Sequence, residues 1–253
     1  MISIIIPAYQ PDEKLIATIH KLVESGFQDI LVVDDGSRES CNTIFDAVEQ
    51  IKECTLLRHR VNQGKGAALK TAIKYFNENR TEKAVVVTVD ADGQHLVKDI
   101  EAVASVALES KKVVLGVRNF SSPNGPTKSK LGNQITATVF QLFFGMKLRD
   151  TQTGLRAFPK EYLNGMDTVE GERYEYETNV LLYMNRHRIP FEQVEISTVY
   201  IEENKSSHFR AVRDSLRIYS LILKYLLSSV SAALIYTVVF YIFKRWTIPA
   251  FLP

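Results

Sequence analysis

Two aspartates separated by one residue form the segment of this sequence that is best suited to binding a metal ion. The segment reads Asp90-Ala91-Asp92-Gly93-Gln94 and follows an apolar run over residues 84–89. Carboxylates at this spacing can hold Mg²⁺ or Mn²⁺, and such an ion stabilises the negative charge that develops on a departing diphosphate. The alternative interpretation is an Asp-rich turn that caps the next helix, and this short segment does not decide between the two.

A second segment combines glycines with a lysine directly before a helical pattern, and it reads Asn62-Gln63-Gly64-Lys65-Gly66-Ala67. Glycines let the backbone approach phosphate oxygens, a helix N-terminus favours anions, and Lys65 adds a positive charge. The segment is not a Walker A loop, because the four-residue spacer and the following Ser or Thr are missing. A tight turn between a strand and a helix explains the glycines equally well, so both interpretations stay open.

A third acidic segment, Val33-Asp34-Asp35-Gly36-Ser37, ends another apolar run. A carboxylate in such a place can accept a hydrogen bond from a base N–H or a ribose hydroxyl, as acidic residues do in other nucleotide-binding folds. The alternative is that Asp35 or Ser37 caps a helix.

Short apolar runs alternate with helical patterns through the first half of the sequence. The runs predict strands over 2–6, 30–33, 55–58, 84–89 and 113–117, and the patterns predict helices over 11–25, 41–51, 66–77 and 98–109. This alternation indicates an α/β fold with a mostly parallel sheet and helices on both faces. The polar segments, together with Arg118 after the fifth strand, should then meet at the carboxyl ends of the strands, where such sheets bind ligands.

Length and composition limit the classes of protein to consider. A chain of 253 residues accommodates one sizeable α/β domain and a short appendage. The apolar content of 45% excludes wholesale disorder, and a net charge of +2 gives no support for a nucleic-acid partner. Cys41 and Cys54 lack metal-ligand spacing and suit a reducing compartment. The N-terminus resembles a buried strand rather than a signal peptide, which predicts a catalytic body on the cytosolic side.

The second half of the sequence is less regular. It predicts a loop over 121–130, an apolar helix over 131–145, a strand over 193–199 and a polar loop over 202–208. Residues 211–224 have the pattern of an amphipathic helix at a membrane surface. Residues 225–243 carry no charge and are flanked by Lys224 and by Lys244-Arg245-Trp246, which predicts a transmembrane helix. A buried amphipathic hairpin is the alternative. The predicted domains are therefore a catalytic domain over 1–210 and two C-terminal helices over 211–224 and 225–243.

In this order and spacing, Ile6-Pro7-Ala8-Tyr9 and the three segments above resemble the inverting family 2 glycosyltransferases. Residues 150–158 and 202–209 are similar to the branch of dolichol-phosphate mannose synthases and bacterial polyprenyl-phosphate glucosyltransferases. The resemblance covers residues 2–220 and implies a GT-A-type, Rossmann-like fold. Residues 219–243 resemble the first helix of the small flippase-like membrane domain that is often fused to or paired with this branch.

The resemblance also implies roles for residues on the donor side. Pro7, Tyr9 and Asp34 would surround the nucleotide base with Asp35 nearby, and Lys65 would contact the diphosphate. Asp90 would face the ribose and the metal. The metal, Mg²⁺ or Mn²⁺, would be bound by Asp90, Asp92 and Gln94.

On the acceptor side, the resemblance implies that Arg118 binds the acceptor phosphate. Lys128, Lys130 and Arg210 are further candidates for that phosphate. Asp150, Arg156 and Glu177 lie in segments that line the acceptor side, and the catalytic residues would be Asp92, Arg118 and Asp150. The acidic residue that relatives carry after the first strand could be Asp12 or Glu13.

The implied reaction moves a hexose from a UDP-glucose or GDP-mannose type of donor to polyprenyl phosphate at the cytosolic membrane face. A polyprenyl phosphate is already ionised near neutral pH, so its oxygen can attack the anomeric carbon in a single inverting displacement without a covalent nucleophile. The protein must then hold two anions together, with Mg²⁺, Lys65 and Arg118 offsetting their repulsion. Structural roles are predicted for the histidines at 59, 95, 187 and 208.

The implied partners are a nucleotide diphosphate sugar, a polyprenyl phosphate, the cell membrane and a flippase-like small membrane protein, and a homo-oligomer stays open. Two alternatives remain. One is a family 2 glycosyltransferase that uses a polysaccharide or another acceptor. The other is a non-catalytic, membrane-anchored protein that binds sugar nucleotides.

Overall fold

Seven strands form one sheet in the computed structural model, which describes residues 1–80, 82, 84–119, 127–197, 223, 227–228 and 230–244. The order across the sheet is β3-β2-β1-β4-β6-β5-β7, and every neighbouring pair is parallel except the two pairs made by β6. The strands are β1 Ile2–Ala8, β2 Ile30–Asp34, β3 Cys54–Arg58, β4 Val85–Thr88, β5 Val113–Arg118, β6 Arg156–Pro159 and β7 Phe191–Ile196.

Six α-helices accompany the sheet within residues 1–197, apart from the positions left undescribed there. They are α1 Lys14–Glu24, α2 Asn42–Glu49, α3 Lys65–Asn79, α4 Val97–Ser110, α5 Thr127–Phe144 and α6 Glu175–Arg186. Short 3-10 turns occupy Glu39–Cys41, Lys160–Tyr162 and Met166–Thr168.

The central strands are buried on both faces, which explains why their sequences are continuous runs of isoleucine and valine. Ile4 and Ile6 of β1 belong to one buried cluster that also contains apolar residues of α1, α2 and α4. Ile5 lies between them, points to the opposite face and is also fully buried. Helix α3 contacts β1 and β2, and α6 contacts α3. The predicted α/β fold, with a mostly parallel sheet between helical layers, is therefore confirmed.

The direction of the strand order reverses between β1 and β4, because β2 and β3 lie on one side of β1 and the later strands lie on the other. In open α/β sheets such a reversal creates a crevice at the carboxyl ends of the strands. Strand β6 runs antiparallel to its neighbours, and its first residue, Arg156, pairs with Thr88 and Leu115. Residues 150–155 therefore arrive at the same edge of the sheet as the ends of β1, β2, β4 and β5.

A single buried carboxylate organises one side of this edge. Asp35 Oδ1 accepts hydrogen bonds from His59 Nδ1 at 2.8 Å and from Gln63 N at 2.9 Å. Its Oδ2 accepts from Asn62 Nδ2 at 3.0 Å and from Gly64 N at 2.8 Å. Because a carboxylate can only accept, His59 donates from Nδ1, and its Nε2 lies 2.9 Å from Thr71 Oγ1. Asp35 thus ties the end of β2 to the loop that leads into α3.

The five strands predicted in the first half are all present, with ends that differ by one or two residues, and the four helices predicted between them are confirmed. Helix α5 begins at Thr127, so the predicted loop over 121–130 is wrong for its last four residues. Strand β6 and helix α6 were not predicted. The sequence of β6, Arg-Ala-Phe-Pro, has neither apolar alternation nor β-branched residues. In α6 the spacing of Tyr176, Val180 and Met184, all buried, is a helical signal that was available.

The chain divides into two compact units, Met1–His208 and Phe209–Pro253. In the second unit, residues 230–244 form a helix. The predicted transmembrane helix over 225–243 is not supported, because no helix within the described part of the chain is both long enough and apolar enough to cross a membrane. The flippase-like membrane domain is therefore not supported either. The predicted surface helix over 211–224 lies outside the described residues except at 223.

We expect Asp35→Asn to lower the free energy of unfolding by about 1.5–3 kcal/mol, because an amide N–H₂ would replace one of two oxygens that face N–H donors. The measurement is urea unfolding of the full chain. The matched control is Asp12→Asn, which changes an exposed side chain that accepts from Lys14 N and should alter stability by less than about 0.5 kcal/mol. Equal, small effects for both variants would contradict the organising role of Asp35.

Candidate functional site

Lys65 lies between two carboxylates that come from different parts of the chain. Its Nζ is 2.7 Å from Asp90 Oδ1 and 3.0 Å from Glu177 Oε1. Lys65 is the first residue of α3, Asp90 follows β4, and Glu177 lies in the first turn of α6. The three elements therefore bring one ammonium group and two carboxylates together at the carboxyl edge of the sheet.

The electrostatics of this cluster favour the charged forms of Lys65 and Asp90. Burial alone would lower the pKa of Lys65, but the charges of Asp90 and Glu177 outweigh burial and raise the pKa well above its usual value. Burial would raise the pKa of Asp90, but Lys65 and then His95 hold it far below its usual range. These shifts favour the ammonium form of Lys65 and the carboxylate form of Asp90.

Asp92 has a different environment from Asp90. Burial raises its pKa, and the neighbouring charge of Asp90 raises it further. Asp92 Oδ1 accepts a hydrogen bond from Gln94 N at 3.0 Å, and His95 Nε2 lies 3.4 Å from Asp90 Oδ2. Two enclosed carboxylates that repel each other form a site that a divalent cation would stabilise.

The donor set fits a hard divalent cation. The two carboxylates and the amide of Gln94 offer the oxygen ligands that Mg²⁺ and Mn²⁺ prefer. Within the described residues, no group of three or more His, Cys, Asp or Glu side chains is arranged to hold a metal ion. Mg²⁺ is usually bound by one or two carboxylates, with substrate phosphates and water as the other ligands. Asp90 and Asp92 therefore suit an ion that arrives with a phosphate-bearing ligand.

The glycines at the start of α3 leave room for a neighbouring segment of the chain. Gly64 has φ 112°, and a Cβ there would lie 2.3 Å from the carbonyl oxygen of Glu172. A Cβ on Gly66 would lie 2.6 Å from Cβ of Tyr176. The Ala67 N–H donates to that same Glu172 carbonyl at 3.0 Å. Both glycines therefore allow close packing against the segment around Glu172 and Tyr176, which neither interpretation of the sequence included, and phosphate binding stays a prediction.

The residues expected around a nucleotide base lie at the ends of β1 and β2. Pro7 is paired in register with Val33, so Tyr9 lies beside Asp35 in the loops that follow these strands. Asp34 is buried, and its Oδ1 accepts from Ser37 N at 2.9 Å. Gln10 links the two loops, because its backbone N–H donates to Ser37 Oγ at 2.8 Å. Within its own loop, Gln10 Nε2 donates to the Tyr9 hydroxyl at 2.9 Å.

A second charged centre lies at the end of β5. Arg118 donates to Asp150 from Nε at 2.7 Å and from Nη2 at 3.1 Å, which forms a bidentate pair. The Asp150 side chain is fully buried and also accepts from Gln152 N at 3.0 Å, whereas the Arg118 side chain is 27% exposed. A bidentate pair fixes the plane of a guanidinium. Arg118 is therefore a rigidly held cation at the surface of the crevice.

Arg156 connects the two centres through the interior. It is almost completely buried, its Nε donates to the Thr153 carbonyl at 3.0 Å, and its Nη1 donates to the Glu177 carbonyl at 2.8 Å. Burial lowers the pKa of Arg156, while the charges of Glu177 and then Asp150 oppose that effect. Its Nη2 has no hydrogen-bond partner. Arg156 also lines a cavity of about 20 Å³, enough for about one water molecule.

Two residues that position the site were not singled out from the sequence. Asn133 of α5 donates from Nδ2 to the Arg149 carbonyl at 2.8 Å and accepts from Thr151 N at 2.8 Å, so it holds the backbone on both sides of Asp150. Gly154 packs against Asp90, since a Cβ there would lie 2.4 Å from Asp90 Oδ2. Both roles depend on contacts between segments that are distant in sequence.

Several predicted residues lie on other elements or outside the described residues, and their roles stay predictions. Lys128 and Lys130 fall on helical residues of α5, and Arg210 and His208 lie outside the described residues. Asp12 is exposed and pairs with Lys14 at the start of α1. Of the histidines, His59 and His95 contact Asp35 and Asp90, and the ring of His187 packs on Tyr183 at 4.2 Å between centroids.

We expect Gly154→Ala to weaken Mn²⁺ binding at Asp90, because the added methyl group displaces that carboxylate, and to cost about 1–3 kcal/mol of stability. Mn²⁺ binding is measured by electron paramagnetic resonance of the free ion. The control is Gly145→Ala, at φ 67° with nothing within 4 Å of the added Cβ. It should cost about 1–2 kcal/mol and leave Mn²⁺ binding unchanged. Equal Mn²⁺ affinity of both variants would contradict the role of Gly154 in leaving room for the Asp90 carboxylate.

The fold is shared with a solved glycosyltransferase. The glucosyl-3-phosphoglycerate synthase of Mycobacterium tuberculosis, solved with Mn²⁺, UDP and glucosyl-3-phosphoglycerate, superimposes with a TM-score of 0.63 at 19% identity. The match covers 90% of this chain and 79% of that one. At this identity the likeness establishes the fold, which is a GT-A-like α/β fold with a mostly parallel sheet.

Sequence comparisons give the family. An uncharacterized protein of Methanocaldococcus jannaschii is 31% identical over 210 residues, and the match covers 81% of this chain and 84% of that protein. The UDP-N-acetylglucosamine–dolichyl-phosphate N-acetylglucosaminyltransferase of Methanococcus voltae is 29% identical over 221 residues. That match covers 80% of this chain and 87% of that protein. Residues 3–217 match Glycosyl transferase family 2, and the chain therefore belongs to glycosyl transferase family 2.

Proposed function

We propose that this protein transfers a hexose from a nucleotide diphosphate sugar to the phosphate of a polyprenyl phosphate, with inversion at the anomeric carbon. The observation that carries the proposal is the presence of two charged centres at one edge of the sheet. One is the cluster of Lys65, Asp90 and Asp92, and the other is Arg118 on Asp150. Two such centres suit a reaction between two phosphate-bearing substrates.

The donor binds along the ends of β1, β2 and β4 in this proposal. Tyr9 and Asp34 border the base, and Asp90 and Asp92 hold a divalent cation with Gln94. When bound, that cation neutralises charge on the diphosphate as it leaves. Lys65, kept protonated by its acidic neighbours, places a second positive charge near the same phosphates.

The acceptor phosphate binds at Arg118. Its oxygen attacks the anomeric carbon, a new carbon–oxygen bond forms, and the bond to the nucleoside diphosphate breaks with both electrons leaving on the diphosphate. The acceptor is already ionised, so no side chain needs to remove a proton. The protein supplies orientation and charge instead, and Asp150 fixes the Arg118 plane for this purpose.

The choice of a polyprenyl phosphate as acceptor is supported by the relative from Methanococcus voltae, whose name gives dolichyl phosphate as its acceptor. The match covers most of both chains, so it includes the segments that carry Arg118 and Asp150. A polyprenyl phosphate is held in lipid, which places the proposed reaction at a membrane surface.

The test is transfer from a panel of radiolabelled UDP- and GDP-sugars to undecaprenyl phosphate in detergent, with Mn²⁺ or Mg²⁺, beside an Asp92→Ala control. Organic-soluble label from one donor, lost with chelator and in the control, supports the proposal and identifies the donor. Label that appears only on a water-soluble phosphorylated acceptor or on polysaccharide overturns the choice of acceptor. Donor binding without any product from the panel contradicts the proposed reaction.

We expect Arg118→Lys to reduce transfer to the lipid about 10- to 100-fold, because lysine cannot form the bidentate pair with Asp150 and leaves a buried carboxylate poorly compensated. Binding of the labelled nucleotide should be unchanged, since the donor centre does not include Arg118. The control is Arg149→Lys, in an exposed pair with Glu195, which should transfer normally. A loss of nucleotide binding in Arg118→Lys would place Arg118 on the donor side instead.

A further inference from the structure

The ammonium of Lys65 uses a carboxylate that the proposed function also needs. Lys65 Nζ lies 2.7 Å from Asp90 Oδ1, and Asp90 is one of the two carboxylates assigned to a divalent cation. An ammonium and a dication repel each other strongly at contact distance in a partly enclosed site. Lys65 and a cation would therefore compete for the negative charge of Asp90, and withdrawal of Lys65 from Oδ1 would favour cation binding.

Glu177 is the second partner of Lys65 and is well fixed. Its Oε1 lies 3.0 Å from Lys65 Nζ, and its side chain is 14% exposed. Its backbone carbonyl accepts from the buried Arg156 at 2.8 Å, which anchors this turn of α6 to the sheet. The ring of Tyr174 lies 5.9 Å from the same ammonium. Lys65 can therefore leave Asp90 and stay at the site through Glu177.

A carboxylate at this place needs a reason, because a site for anionic substrates loses affinity with every added negative charge. Glu177 lies on α6, whereas Asp90 and Asp92 follow β4. The Glu177 side chain accepts a hydrogen bond from Lys65 Nζ through Oε1. The negative charge of Glu177 lowers the affinity for anionic substrates, so the position that Glu177 gives to Lys65 has to compensate for this loss.

We propose that Glu177 is a positioning residue that draws Lys65 away from Asp90, so that a divalent cation can take Asp90 while Lys65 stays beside the diphosphate. The inference rests on the proposed function in its assignment of Asp90 to the cation. It adds a role for Glu177 that acts through Lys65 alone.

The inference predicts opposite effects of two substitutions on Mn²⁺ binding without nucleotide. Glu177→Gln should weaken Mn²⁺ binding about tenfold, because Lys65 then pairs with Asp90 alone. Lys65→Met should tighten it about tenfold, because the competitor is gone. Simple addition of charges gives the same two directions, so the single variants are not sufficient.

The double variant separates the two explanations. If Glu177 acts through Lys65, then Glu177→Gln in the Lys65→Met background should change Mn²⁺ affinity by less than about twofold. Additive charge effects would weaken binding by the same factor, about tenfold, in both backgrounds. The measurement is titration of the full chain with Mn²⁺, followed by the resonance of the free ion, with no sugar or lipid present.

The chain offers a matched control pair between the same two regions. Lys70 of α3 lies 2.9 Å from Glu172 Oε1, and neither residue touches Asp90. Glu172→Gln and Lys70→Met should leave Mn²⁺ affinity unchanged. The inference is overturned if these controls lose Mn²⁺ affinity. It is also overturned if the effects of the two single substitutions on Mn²⁺ affinity add in the double variant. Either outcome leaves the proposed reaction intact. Wild-type protein that binds no Mn²⁺ with either UDP or GDP overturns both proposals. Failed transfer with the expected Mn²⁺ pattern overturns the reaction alone.

Discussion

The carboxyl edge of the sheet encloses several carboxylates, and an isolated buried carboxylate is unstable by several kcal/mol unless it is paired. Each buried carboxylate is stabilised by a different kind of partner. Asp35 is surrounded by N–H donors, Asp150 receives a bidentate guanidinium, and Asp90 receives an ammonium. These pairings are intramolecular contacts between segments far apart in sequence, so satisfying the charges also fixes the loops that carry them.

The geometry of the crevice follows from this requirement. Asp35 draws the loop after β3 against the end of β2, and the start of α3 is in turn packed on the segment before α6 through Gly64. Strand β6 enters antiparallel, which places Asp150 and Gly154 beside residues that follow β5 and β4. Because Gly154 leaves room for Asp90, the acceptor-side segment and the proposed metal ligand cannot shift independently.

The order of the first five strands and four helices could be predicted because β-branched runs and helical spacing are local signals. The candidate site could be located for the same reason, since polar residues that end parallel strands must share an edge. Strand β6 could not be predicted, because Arg156 and Pro159 are not strand-forming residues and the strand exists through pairing with β4 and β5. The use of Asp35 as a loop anchor, and of Gly64 for packing, depends on partners that local sequence does not reveal.

The charge balance of the site indicates why a cation and the donor should arrive together. Lys65, Arg118 and Arg156 face Asp90, Asp92, Asp150 and Glu177, which is three cations against four carboxylates. With all four carboxylates ionised, these groups carry one net negative charge, so a nucleotide diphosphate alone would meet repulsion at this edge. Burial and then the neighbouring charge of Asp90 raise the pKa of Asp92 for the same reason. A divalent cation reverses the sign of the balance to one net positive charge, and the diphosphate then becomes a favourable ligand. In the arrangement proposed above, Glu177 would keep the ammonium of Lys65 beside the phosphates once a cation took Asp90, so that two positive charges would face the leaving group.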